Sequence, residues 1–264
     1  MYKKIFFPLL TLFLFACSWT LADDSILEVD LKPISKDTPI FTRSQEAENG
    51  VKYSLKMIKV SNEPKIKTPP ATDAVVLYYG QVKLGFPANE YGVLIDFEGK
   101  DRQIWVDPKA DGNFAAAPPV QIFKSDRYSA GNVFYAPTPI SFQIGYTLGD
   151  HDYQVPVQFD LNYLFISRTS RDDVFYLINR TWFYGEITLD GEEIYFGLVD
   201  THDNGTYNDP NDLIFVGRDS DLNFTAKTGQ RVKSFTSLKS KTKVHYKINY
   251  SYCPEKLILT KDEH

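Results

Sequence analysis
The chain has 264 residues, a formal charge of −5, 43% hydrophobic and 24% charged residues. These values exclude a strongly basic chain built to coat nucleic acid, and they exclude wholesale disorder. Tyr (17) and Phe (19) are abundant while Met (2) is scarce, a bias toward strands rather than helices.

Residues 1–22 read as a leader. Lys3 and Lys4 precede an apolar run from Ile5 to Phe15 that is too short to span a bilayer, and small residues follow. Two cuts fit: an ordinary signal-peptidase cut after Thr20-Leu21-Ala22, or a cut before Cys17. Leu14-Phe15-Ala16-Cys17 resembles the lipobox of bacterial lipoproteins, and that resemblance implies a lipidated Cys17 and an outer-membrane anchor. Either cut implies an extracytoplasmic protein, periplasmic, secreted or lipid-anchored. Cys253 is then the one thiol left, so no intrachain disulfide is expected, and the thiol reads as a small buried hydrophobe.

Residues 23–75 read as N-terminal strands and a Pro-containing linker. Val51, Tyr53, Leu55 and Met57 alternate with Lys52, Ser54 and Lys56, the period of a half-buried strand. The stretch 61–73, with Pro64, Pro69 and Pro70, reads as a long surface loop. Residues 76–264 read as one β-rich domain with related hairpin units near 78–126, 140–166 and 182–226. Gly80-Gln81-Val82-Lys83-Leu84 leading to Val93-Leu94-Ile95-Asp96 parallels Gly185-Glu186-Ile187-Thr188-Leu189 leading to Gly197-Leu198-Val199-Asp200, and Ile104-Trp105-Val106 parallels Ile214-Phe215-Val216. The expected fold is all-β: an antiparallel β-sandwich or open barrel built from repeated hairpin units.

Signatures of known catalysis are sparse. Gly-x-Ser-x-Gly, His-Glu-x-x-His, Cys-x-x-Cys and the P-loop do not occur. Ser240-Lys241-Thr242-Lys243 and Lys227-Thr228-Gly229 match penicillin-binding-enzyme motifs, but in reverse order and on a strand pattern.

One loop carries a mechanism. Residues 200–212 resemble an EF-hand-like calcium loop, and the resemblance implies Ca²⁺ held by Asp200, Asn204, Thr206, Asn208 and Asp212, with Gly205 making the turn. His202 stands at position 3, where an oxygen ligand belongs, and Asp212 falls one residue late. Asp107 to Phe114 keeps the first Asp, Asp111 and Gly112 of the same pattern, and Asp219-Ser220-Asp221-Leu222-Asn223 is a third, looser copy. Tight turns use the same residue types without a metal.

Charge is segregated toward the C-terminus. Nine acids and one base occupy 190–221, while seven Lys or Arg and no acid occupy 225–254. Lys239, Lys241, Lys243 and Lys247 recur at strand spacing. They read as an edge strand guarded by Lys, or as a stripe that meets anionic envelope polymer or lipid headgroups. The function expected is a non-enzymatic binding or structural module of the cell envelope with a structural calcium loop. The alternative is a secreted polysaccharide-acting hydrolase using paired carboxylates.

Overall fold
The computed structural model describes residues 26–34, 51–115, 117–125, 132–166, 173–189, 191–209, 212–218, 234–237, 244–251 and 253–262. The leader with Cys17, the loop at 219–223, and Lys239, Lys241 and Lys243 fall outside these residues.

The described chain is built of strands, with a single 3₁₀ turn at Val60–Asn62, as the aromatic-rich alternation leads one to expect. In chain order β1 is Ile26–Asp30, β2 Lys32–Ile34, β3 Val51–Lys59, β4 Val76–Leu84, β5 Asn89–Asp96 and β6 Gln103–Val106. There follow β7 Val120–Gln121, β8 Phe123–Lys124, β9 Asn132–Tyr135, β10 Ile140–Leu148, β11 His151–Ile166 and β12 Asp173–Asn179. The last six are β13 Trp182–Leu189, β14 Glu192–Val199, β15 Leu213–Gly217, β16 Ser234–Ser237, β17 Val244–Tyr250 and β18 Lys256–Asp262.

All the strand pairings are antiparallel, and they form three sheets. A ten-stranded sheet runs β7-β6-β5-β4-β3-β12-β11-β9-β8, with β10 paired to β11. It curls until β10 approaches the β4–β5 end. The amides of Gln143 and Thr147 donate to Pro108 O and Phe86 O, both at 2.8 Å. Between them the Tyr91 hydroxyl accepts from Gly145 N (3.0 Å) and donates to Gln143 O (2.9 Å). A buried side chain thus stands in for a missing rung of the ladder, which leaves fewer backbone groups of β10 unpaired. Val82, Tyr91, Val93, Phe142, Phe159 and Phe175 fill the interior of this barrel-like unit.

The other two sheets, β1-β18-β17-β16 and β15-β14-β13-β2, share a second core that includes Val29, Phe183, Phe196, Leu198, Tyr207 and Leu257. Between Asp30 and Lys32 the chain passes from one of these sheets to the other: β1 pairs with β18, and β2 pairs with β13. The described strands of the 23–75 segment serve both units: β1 and β2 belong to the second, while β3 pairs with β4 and β12 of the barrel.

The hairpins expected near 78–126, 140–166 and 182–226 are present as β4–β5, β10–β11 and β13–β14. In the first and last, the paired row Gly80–Val93–Val106 matches Gly185–Phe196–Val216, one residue earlier on β14 than the sequence likeness of Val93 to Gly197 implies. Val82 and Ile187 each face the core of their own unit. On β3, Tyr53 and Leu55 face the barrel core, but Met57 is 65% exposed. The 61–73 stretch is pinned to the loop after β6: Lys67 N and Thr68 N donate to Gly112 O, and Phe114 N donates to Thr68 O.

Candidate metal centre at the junction of two units
The loop leaving β14 begins with Asp200, which is 1% exposed. Its Oδ1 accepts from His202 N (2.9 Å), and its Oδ2 accepts from Gly205 N (2.7 Å) and Asn179 Nδ2 (2.8 Å). The chain turns through two left-handed residues, Asp203 (φ 55°) and Gly205 (φ 75°). The loop leaving β6 repeats this plan. Asp107 Oδ1 accepts from Lys109 N and Asp111 N, its Oδ2 accepts from Gly112 N, and the left-handed residues are Ala110 (φ 56°) and Gly112 (φ 82°). The leading Asp in each case satisfies the donors of a tight turn, which explains the sequence likeness of the two loops.

The Asp200 loop differs in its further side chains. Thr206 Oγ1 donates to Asn204 Oδ1 at 2.8 Å, and Asn204 Nδ2 donates to Asp209 Oδ2 at 2.6 Å. Thr206 Oγ1 also reaches Asp209 Oδ2. Asp212 Oδ1 accepts from Thr201 N (2.9 Å) and lies 3.4 Å from His202 Nδ1, while its Oδ2 accepts from Asp209 N (2.7 Å). Ligand atoms of His202, Asp209 and Asp212 all lie within 4.8 Å of one another.

Of the five ligands expected from sequence, the structure bonds Asn204 to Thr206 and seats Asp212 beside His202 and Asp209. Asp200 sits beneath as a staple of the turn. Asn208 Nδ2 donates to Tyr250 O at 3.1 Å. His202 and Asp209 were not among the five. The EF-hand spacing has no ligand at the Asp209 position and calls for an oxygen where His202 stands, and the approach of the two depends on how the chain turns back to Asp212.

Three carboxylates here are buried: Asp200, Asp203 and Asp212. Burial pushes the Asp200 carboxyl up to about 7. The Asn179 and Gly205 donors oppose that rise, and the nearby Asp212 and Asp203 charges add to it. Burial likewise raises Asp212. No Lys or Arg occurs between 200 and 212 to offset these charges.

Asn179, at the end of β12, holds the loop against the barrel. Its backbone amide donates to Asp203 Oδ1 (2.5 Å), and its side chain donates to Asp200 and to the Tyr207 hydroxyl. Sequence reading missed it because the partner acids lie more than 20 residues away, on the other unit.

A second concavity, an open cleft of about 540 Å³, is lined by residues that include Asp73, Asp96, Glu98, Lys100 and Asp101. Asp96 Oδ1 accepts from Glu98 N (3.2 Å) and Gly99 N (2.9 Å), so that carboxylate shapes its own turn.

No family model, curated protein or solved structure matches the chain.

Proposed function
We propose that the protein is a non-enzymatic binding or structural module of the cell envelope, outside the cytoplasm, in which the 200–212 loop holds a structural Ca²⁺. The observation that carries the reading is the set of buried carboxylates at the junction of the two units. For Asp200 and Asp212 the bonds come from amide, hydroxyl and imidazole groups rather than from Lys or Arg. Burying two such carboxylates close together is costly, and a divalent cation offsets that cost. Asn204 Oδ1, Thr206 Oγ1, Asp209 and Asp212 supply hard oxygen donors close together, the chemistry calcium takes. They would hold the ion, with His202 beside them.

The tryptophans of the described chain, Trp105 and Trp182, are buried, and the acidic cleft has no aromatic ring in its lining. Both features favour a binding or structural module over a polysaccharide-acting hydrolase. Lys247 does not lie on an edge strand, because β17 is paired with β16 on one side and β18 on the other. His245 and Lys247 are exposed on one face of β17, which supports a basic face that meets anionic polymer or lipid headgroups.

Isothermal titration of the metal-free protein tests the reading. One calcium site with Kd on the order of 10⁻⁴ to 10⁻³ M is expected. Asp212→Asn should weaken it at least tenfold, and Zn²⁺ should not displace calcium at equal concentration. Absence of saturable calcium binding, or a strong preference for zinc, overturns it.

A further inference from the structure
The two units each hold their own core, with the partly buried Val155 packed against both, and the 200–209 loop bonds across from one to the other. Gly85 N donates to Asn204 O (3.1 Å), Tyr146 Oη donates to Gly205 O, and Asn179 N donates to Asp203 Oδ1 (2.5 Å). The seating is close. A Cβ on Gly205 would meet Ile144 Cδ1 at 2.4 Å and Gly85 N at 3.5 Å.

We propose that this loop is a latch. It lifts from the barrel without opening either core, and a cation in the same loop, on the calcium reading above, holds it closed. Two features support a discrete device rather than a continuous seam. The contacts are directional bonds to β10, β12 and the β4–β5 turn, all made from one short loop. Each partner strand is also anchored within its own sheet by an independent ladder. Elements tied by a few polar bonds open at lower cost than strands inside a core.

Amide hydrogen exchange by NMR on the whole protein tests the proposal, with wild type and Tyr146→Phe compared in calcium and in chelator. Tyr146 lies outside the calcium ligand set, and its phenylalanine variant removes one cross-unit bond. Exchange at Gly85 and Asn179, whose amides bond across the junction, should rise together by about fivefold to tenfold. Val82 and Phe159 in the barrel and Phe196 in the other core should keep their wild-type rates. Calcium should slow these two junction amides in the wild type. The latch is overturned if core and junction amides rise alike, if Gly85 and Asn179 do not respond, or if calcium binds without slowing them. Failure of calcium to bind, with the junction amides still released together by Tyr146→Phe, rejects the calcium reading and leaves the latch supported.

Discussion

Asp200 concentrates the physics of the site in one residue. Sequence marks it as the first position of an oxygen-rich loop, but not that both its oxygens are taken up by N–H donors. An amide there would set its NH₂ group against one of those donors, so Asp200→Asn should cost about 1–3 kcal/mol even in chelator. A melting temperature equal to wild type in chelator would contradict the staple role. The same carboxyl titrates unusually, since its folded value near 7 lies above the ordinary Asp range. The folded chain therefore holds the proton more tightly than the unfolded chain. The resulting stability is full below the ordinary Asp range and is lost as pH rises through about 7. In chelator, melting should be higher at pH 5 than at pH 8, and calcium should recover part of the loss at pH 8. A rise in melting from pH 5 to pH 8 in chelator would contradict this.

Cys253 was legible as a lone small hydrophobe, and it is free and buried, its thiol pushed up to about 12 by burial. Thiol reagents should leave it unmodified in the native protein and label it once the chain is denatured. Rapid native labelling would contradict the burial.

At the scale of strands and turns, alternation is the legible signal, because a strand with one face in a core repeats every two residues. It located β3 and the hairpins, but it could not foresee that Met57 at the far end of β3 would stand outside the core. Nor could it reveal the closure of the barrel, since the role of Tyr91 depends on Gln143 and Gly145, more than 50 residues along the chain. Tyr91→Phe removes a hydroxyl that serves two backbone groups. It should cost about 1–2 kcal/mol and lower the melting temperature by a few degrees. An unchanged melting temperature would mean that water serves those groups equally well.

For the molecule as a whole, the all-β class was readable from composition and turns, but the division into two units was not. Ile26 pairs with Thr260 and Trp182 with Ile34, and pairings across such separations leave no local trace in sequence. The acid-rich segment was readable as a metal loop, but its position at the junction of the units was not, because Asn179, Tyr146 and Gly85 come from elements that sequence reading treats separately. Thermal melting in millimolar calcium and in chelator tests most directly whether a cation holds that junction. At free calcium about tenfold above Kd, binding adds roughly 1.4 kcal/mol, a rise of about 3–6 °C for a chain of this size. Asp212→Asn should lose the rise, while Asp107→Asn, which alters only the matching loop after β6, should keep it. The same melting temperature for wild type in chelator and in calcium would contradict the metal centre and leave the loop a turn.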